Sequence, residues 1–251
     1  MTAYHYEERI DARSTDLWGH CRPSGVLGIL QEAAVGAACV LHASLEEMLE
    51  RYHMFWMLAR IWYRLDRPLY LGDRVEVRTW HRGIRRASSY RDFDLLVDGR
   101  PVGEAVSLWV LADERTRRLG RGSDIKEFQG TDGGPLCKER TLSKLVLPEG
   151  MAEAGHREFH YSDLDMNGHV NNVKYADFVC DALELEKLGP GRFVSSLQIG
   201  YRAECRAGER VALLCGSSGS GRYVRGADGT GKTRFDAVLT LDALGGEQEN
   251  V

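Results

Sequence analysis

Two segments of the chain repeat apolar residues every three to four positions, and each is followed by shorter segments that alternate apolar with polar residues. The first helical segment carries Gly25, Gly28, Ala33, Ala34, Gly36, Ala37 and Ala38, so it is small-sided on several faces and open to close approach by a sheet. In the second, Val173, Ala176, Cys180 and Leu183 follow Val170 at the spacing of one helical face, and Gly189 and Pro190 stop it. Strands are predicted after the first helix over 54–65, 74–80, 90–97 and 102–112, with Asp98-Gly99 as a hairpin turn between the last two. After the second helix they are predicted over 193–205, 211–215, 223–225 and 235–241.

The two halves echo one another. Asp16-Leu17-Trp18-Gly19-His20 repeats the D-x-x-G-H spacing of Asp165-Met166-Asn167-Gly168-His169, each just ahead of a helical pattern. Gly72-Asp73-Arg74-Val75 and Gly208-Glu209-Arg210-Val211 occupy corresponding turns. One helix followed by an antiparallel meander, twice, predicts an α+β chain of two similar units. The boundaries expected are an N-terminal domain over 1–130, a Gly-, Pro- and charge-rich linker over 131–155, and a C-terminal domain over 156–251.

Composition narrows the class. In 251 residues, 43% hydrophobic content is ample for a packed core. The longest apolar stretch, from Val26 to Leu41, is broken by Gln31 and Glu32 and is short of the roughly 20 residues that cross a bilayer, so no membrane insertion is expected. The chain opens almost directly into a strand-like segment at Tyr4, which makes the cytoplasm the expected location. Six cysteines without a C-x-x-C pair are expected to be reduced. A net charge of -4 and the lack of a basic stripe argue against nucleic acid as a partner.

The densest chemistry lies in Ser162 to Tyr175, which holds two aspartates, three asparagines and a histidine at the approach to the second helix. Free N–H groups at a helix N-terminus favour negative charge, so Asp165, Asn167 and His169 are placed to handle a carbonyl oxygen becoming an oxyanion. The competing reading is a turn and cap with a satisfied histidine, since Asp and Asn commonly serve that purpose. The run Asp163 to Tyr175, together with Tyr201-Arg202-Ala203-Glu204-Cys205, resembles the acyl-carrier-protein thioesterases of fatty-acid synthesis.

That resemblance implies a tandem hotdog fold, each helix wrapped by its own sheet, and an acyl-ACP hydrolase releasing free fatty acid without cofactor or metal. It maps Asp165, Asn167, His169 and Glu204 onto the family's catalytic set, with Glu204 a candidate general base and Cys205 the alternative nucleophile. Trp56, Met57, Asn171 and Asn172 are candidates for substrate contact. An acidic carrier protein would dock on basic residues, for which Arg82, Arg85 and Arg86, or Arg115, Arg117 and Arg118, are the candidates. Because Asn167 matches Trp18, and Pro68-Leu69 stands where Glu204-Cys205 would recur, one active site per chain is expected, in the second half. Whether the chain is a homodimer stays open, since a tandem repeat can supply the interface within one chain. Acyl-coenzyme A hydrolysis, or acyl binding without catalysis, are the alternatives.

Three patterns complicate this picture. Simple alternation puts Leu197, Ile199, Tyr201, Ala203 and Cys205 on the helix-facing side, which favours Cys205 over Glu204 beside His169 unless a bulge or turn intervenes. Gly226-Ala227-Asp228-Gly229-Thr230-Gly231-Lys232-Thr233 fits the phosphate-loop pattern, but an alternating strand follows where a helix is needed, so a hairpin loop is expected. His156, Glu158 and His160 share a face if their segment is a strand, a spacing too common to assign a metal.

Overall fold

Both alternating patterns form strands of one continuous antiparallel sheet in the computed structural model, which describes residues 3–122, 125 and 140–244. The elements run β1 (Tyr4–Arg9), α1 (Pro23–Val40), α2 (Leu45–Tyr52), β2 (Met54–Leu65), β3 (Arg74–Arg85), β4 (Ser88–Val97) and β5 (Arg100–Asp113). They continue with β6 (Ala152–Glu158), a single 3₁₀ turn at Tyr161–Asp163, α3 (Lys174–Ala182), β7 (Arg192–Tyr201), β8 (Arg210–Ser218), β9 (Gly221–Asp228) and β10 (Thr233–Ala243). Strand order is β1-β3-β4-β5-β2-β7-β10-β9-β8-β6, so the halves are arranged symmetrically about the central pair β2–β7. That junction is antiparallel, with Arg60 opposite Gly200 and Arg64 opposite Ser196.

Local chemistry explains most boundaries. Pro23 sits in the first turn of α1, where its missing N–H and fixed φ are no loss. A side chain at Gly36 would run into the Tyr4 ring, so α1 lies close against β1 only because that residue is small. Helix α2, which periodicity did not indicate, is started by a capping box: Ser44 Oγ accepts from Glu47 N at 3.3 Å and Glu47 Oε2 accepts from Ser44 N at 3.1 Å. Asp98 and Gly99, at φ 51° and 72°, form the expected tight turn between β4 and β5. The phosphate-loop lookalike is the β9–β10 hairpin, in which Asp228 Oδ1 accepts from Thr230 N at 2.9 Å and from Lys232 N at 3.1 Å.

Helices α1 and α3 lie on the same side of the sheet and touch each other. The main core is therefore shared: Leu27, Leu30, Ile61 and Phe93 belong to the same buried cluster as Phe178, Leu197, Ile199 and Phe235. Each such side chain contributes about 1.5–3 kcal/mol by leaving water. A bulge between Leu58 and Arg60 in β2 inserts one residue, so Leu58 and Ile61 both face the helices. On the opposite face the segment from Arg140 crosses the centre of the sheet. Leu142 packs with Trp62, Val106 and Tyr90, its carbonyl accepts from Arg60 Nη1 at 3.1 Å, and the Arg140 guanidinium lies 3.7 Å over the Trp62 ring. Residues 131–139 of the expected linker, Cys137 among them, lie outside the described residues.

Candidate active site

The chemistry-bearing run folds as a tight turn that is closed by its own aspartate. Asp165 N donates to the His169 carbonyl at 2.9 Å, Gly168 N to the Asp165 carbonyl at 3.0 Å, and Asn167 N to Asp165 Oδ1 at 2.8 Å. Gly168 has φ 73°, a conformation that suits glycine. Asn171 then closes the turn leading into α3: its Oδ1 accepts from Val173 N at 3.0 Å and its carbonyl from Lys174 N at 3.0 Å. The expectation of a row of free amides here is corrected, because the N–H groups of Asn167, Gly168, Val170, Asn171, Val173 and Lys174 are all bonded within the protein. The Asn167 side-chain amide is exposed, has no bond recorded to another group among the described residues, and is a donor open to substrate.

The strand predicted over 193–205 ends at Tyr201. Arg202 N and Ala203 N both point at the Arg234 carbonyl, at 2.8 and 3.2 Å, which breaks the ladder. Val170 N then bonds the Cys205 carbonyl at 2.8 Å and ties this irregular segment to the turn. Val170 and Cys205 are the buried residues of that contact, so His169 and Glu204 fall together on its outer side. His169 Nε2 lies 3.1 Å from Glu204 Oε2. Alternation placed Cys205 on the core side correctly, and the irregular segment after Tyr201 brings Glu204 instead of Cys205 to His169. The rim, not the core face, carries the histidine.

Other groups complete the surroundings; of these the sequence singled out Arg117, as a carrier contact, and neither Arg206 nor Arg234. Arg206 Nη2 is 3.3 Å from His169 Nε2, and Arg234 Nη1 donates to the Glu204 carbonyl at 2.6 Å. Arg117, from the first half, brings Nη1 to 3.6 Å from Glu204 Oε1. Arg206 adjoins the Glu204-Cys205 pair and could have been found that way; Arg117 is brought in only by the tertiary fold. Cys205 meets the Tyr175 hydroxyl, and burial pushes its thiol up from the ordinary value, away from the thiolate a nucleophile requires.

The first half repeats this turn without its reactive groups. Asp16 N bonds the His20 carbonyl at 2.8 Å, Trp18 N bonds Asp16 Oδ1 at 2.9 Å, and Cys21 N bonds the Leu69 carbonyl at 2.7 Å. Leu69 thus stands in the place of Cys205 and Pro68 in that of Glu204. His20 is buried against Tyr70, 3.8 Å from Asp16, a separation too long for a hydrogen bond.

A narrow crevice between the halves is lined by Leu27, Leu30, Leu58, Ile61, Phe93, Ser107 and Trp109 of the first half and Asn172, Val173 and Tyr201 of the second. Its volume of about 10 Å³ is room for about one water. Asn172 and Tyr201 each lie three residues from His169 and Glu204, and the Tyr201 hydroxyl donates to the Asn172 carbonyl at 2.9 Å. Of the residues expected to touch substrate, Asn172 lines this crevice and Asn171 closes the turn before α3, whereas Trp56 packs with Met48 and Leu111 under α2, and Met57 lies outside the lining.

The arginine candidates separate by burial. Arg82 is turned inward, its Nη2 and Nε meeting the fully buried Asp92 at 2.5 and 2.6 Å. Arg85, Arg86, Arg115, Arg117 and Arg118 are exposed. The antiparallel order puts the ends of β3 and β5, the start of β2 and the end of β7 together, so these five arginines lie at the same end of the sheet as Glu204.

Comparison with known proteins covers both halves. Residues 3–125 match the model of the acyl-ACP thioesterase N-terminal domain, and residues 151–247 that of the C-terminal domain. The chain is 30% identical over 235 residues to a chloroplastic palmitoyl-acyl carrier protein thioesterase of Gossypium hirsutum, covering 89% of this chain and 52% of the relative. It is 28% identical over 216 residues to oleoyl-acyl carrier protein thioesterase 1 of Arabidopsis thaliana, covering 79% and 59%. The chain thus spans about half the length of the curated relatives it matches. Among solved structures, an acyl-ACP thioesterase from Bacteroides thetaiotaomicron superposes with a TM-score of 0.84 at 21% identity, over 95% of this chain and 97% of that one. A 12:0-ACP thioesterase from Umbellularia californica gives 0.81 at 21% identity, over 96% and 98%. These two share the tandem hotdog fold.

Proposed function

Because this chain belongs to the acyl-ACP thioesterase family, we propose that it hydrolyses fatty acyl thioesters of acyl carrier protein, in fatty acid biosynthesis, to free fatty acid and carrier. The observation that carries the proposal is the contact between His169 Nε2 and Glu204 Oε2, 3.1 Å, each three residues along the chain from a residue that lines the apolar crevice.

Hydrolysis adds water across the C–S bond, so the site must take a proton from water, hold the charge that develops on the carbonyl oxygen, and return a proton to sulfur. Glu204, half-exposed and therefore open to water, is the base. Its carboxylate takes the proton as the water oxygen bonds the acyl carbon, and the Asn167 amide donates to the oxyanion. As the C–S bond breaks, the proton passes through His169 to the thiolate leaving group, which departs as the carrier thiol. Asp165 acts through the turn it closes: its bond to Asn167 N and its own N–H to the His169 carbonyl fix where both side chains emerge. The acyl tail enters between α1 and β2, and a crevice of this size means that side chains must move to admit it. Arg85, Arg86, Arg115 and Arg118, at the same end of the sheet, are offered as contacts for the acidic carrier.

The test is hydrolysis of a panel of acyl-ACP and acyl-coenzyme A thioesters by the wild type and by His169→Ala. Fatty acid release that the substitution abolishes supports the proposal, and the panel identifies the carrier. Binding of acyl chains without release from either carrier would refute it.

A further inference from the structure

Resting on the hydrolase reading of the same site, we propose that Arg117 is a positioning residue for Glu204, supplied by the first half of the chain to the chemistry of the second. The two oxygens of Glu204 face different partners: Oε2 meets His169 at 3.1 Å, and Oε1 lies 3.6 Å from Arg117 Nη1. A carboxylate held at both oxygens has one orientation in which a lone pair is presented to water.

The arginine is itself anchored. Its guanidinium lies 4.8 Å over the ring of Phe55, at the start of β2. Its backbone belongs to the turn that follows β5, where Arg117 N bonds the Asp113 carbonyl at 3.0 Å and Asp113 N bonds the Arg118 carbonyl at 2.9 Å. Asp113 Oδ1 closes that turn by accepting from Thr116 N at 2.7 Å, and these bonds hold its carboxyl below the usual range. Arg117 adopts φ 57°, a left-handed conformation uncommon for a non-glycine residue.

With side chains 51% and 41% exposed, the Arg117–Glu204 pair is too solvated to matter much for stability. Its value lies in geometry: Arg117 meets one carboxylate oxygen of Glu204, while Arg234 Nη1 holds the Glu204 carbonyl and Arg206 lies beside His169. This separates Arg117 from Arg115 and Arg118, for which no ion pair is recorded among the described residues.

The experiment compares the wild type with Arg117→Ala and Arg117→Lys on acyl-ACP and on a short acyl N-acetylcysteamine thioester, with thermal melting of each protein. Positioning predicts that Arg117→Ala lowers kcat on both substrates by a similar factor, on the order of 10- to 100-fold, with KM for the small thioester little changed. Arg117→Lys, or added guanidinium ion with the Ala variant, should restore part of the loss. A higher KM confined to acyl-ACP, with kcat on the small thioester intact, would make Arg117 a docking residue and overturn the proposal. A lowered kcat that neither lysine nor guanidinium restores, with a lowered melting temperature, would overturn it as well. A wild type inactive on both thioesters would remove the hydrolase reading, and this inference with it.

Discussion

Replacing Glu204 by Gln separates catalysis from stability at the site. Gln keeps the size of the side chain and an oxygen for the His169 contact, but cannot take a proton from water. General-base assistance is worth about 10²–10⁴ in rate, or roughly 3–5 kcal/mol of barrier. The folded state should hardly notice. The carboxylate is 41% exposed and its partners Arg117 and His169 sit on the rim, so the lost ion pairs are worth at most about 1 kcal/mol. For a chain of this size that shifts Tm by no more than about 4 °C. Cys205→Ala should behave in the opposite way. The thiol is buried against Tyr175, so its loss should cost about 1–2 kcal/mol while kcat stays within a few-fold. Single-turnover release of fatty acid from acyl-ACP, with thermal melts of the same preparations, measures both quantities. An inactive Cys205→Ala beside an active Glu204→Gln would refute the assignment of Glu204 as base and restore the covalent route.

Three further outcomes follow from the geometry. Asp92→Asn should remove the carboxylate charge facing the inward-turned Arg82 guanidinium and cost about 3 kcal/mol, a Tm fall of roughly 6–12 °C, whereas the exposed Arg85→Ala should leave the melt almost unchanged; equal melts would show that the pair does not stabilise the fold. Charge reversal at Arg115 and Arg118 should raise KM for acyl-ACP and not for a small thioester, and equal effects on both would discard these residues as carrier contacts. Burial raises the Cys21 thiol to about 12, so the contribution of its neutral form is fully present below the unfolded value near 9 and is lost as pH rises from there toward 12; the Cys21→Ala variant should show a shallower loss of Tm across that window, and an unchanged slope would rule the thiol out.

Much of the fold was legible because its signals are local. Strand β2 follows from the run 54–65, the β4–β5 turn from Asp98-Gly99, and the tandem plan from the repeated D-x-x-G-H spacing. Helix α2 was overlooked although Ser44-Leu45-Glu46-Glu47 spells a capping box, because its single buried residue, Met48, gives too little apolar periodicity over eight residues. Within the site, Asp165, Asn167 and His169 are one turn and could be read together. Their meeting with Glu204 depends on the bond from Val170 N to the Cys205 carbonyl, which crosses 34 intervening positions. The crevice and the approach of Arg117 depend in turn on the pairing of β2 with β7, and no sequence pattern in either strand names the other as its neighbour.

The β2–β7 seam also bears on how such a molecule can change over time. In a dimer with two-fold symmetry every substitution is made twice, so a change that spoils a reactive group spoils it in both copies. A seam enclosed within one polypeptide removes that constraint, because each half carries its own codons while the covalent link keeps its partner permanently at hand. Pro68 can then replace a carboxylate in one half while Glu204 persists in the other. The residues of β2, β4 and β5 around the crevice are likewise free to drift in size without touching the turn from Asp165 to His169, so that the shape of the crevice and the chemistry of the turn are open to separate selection.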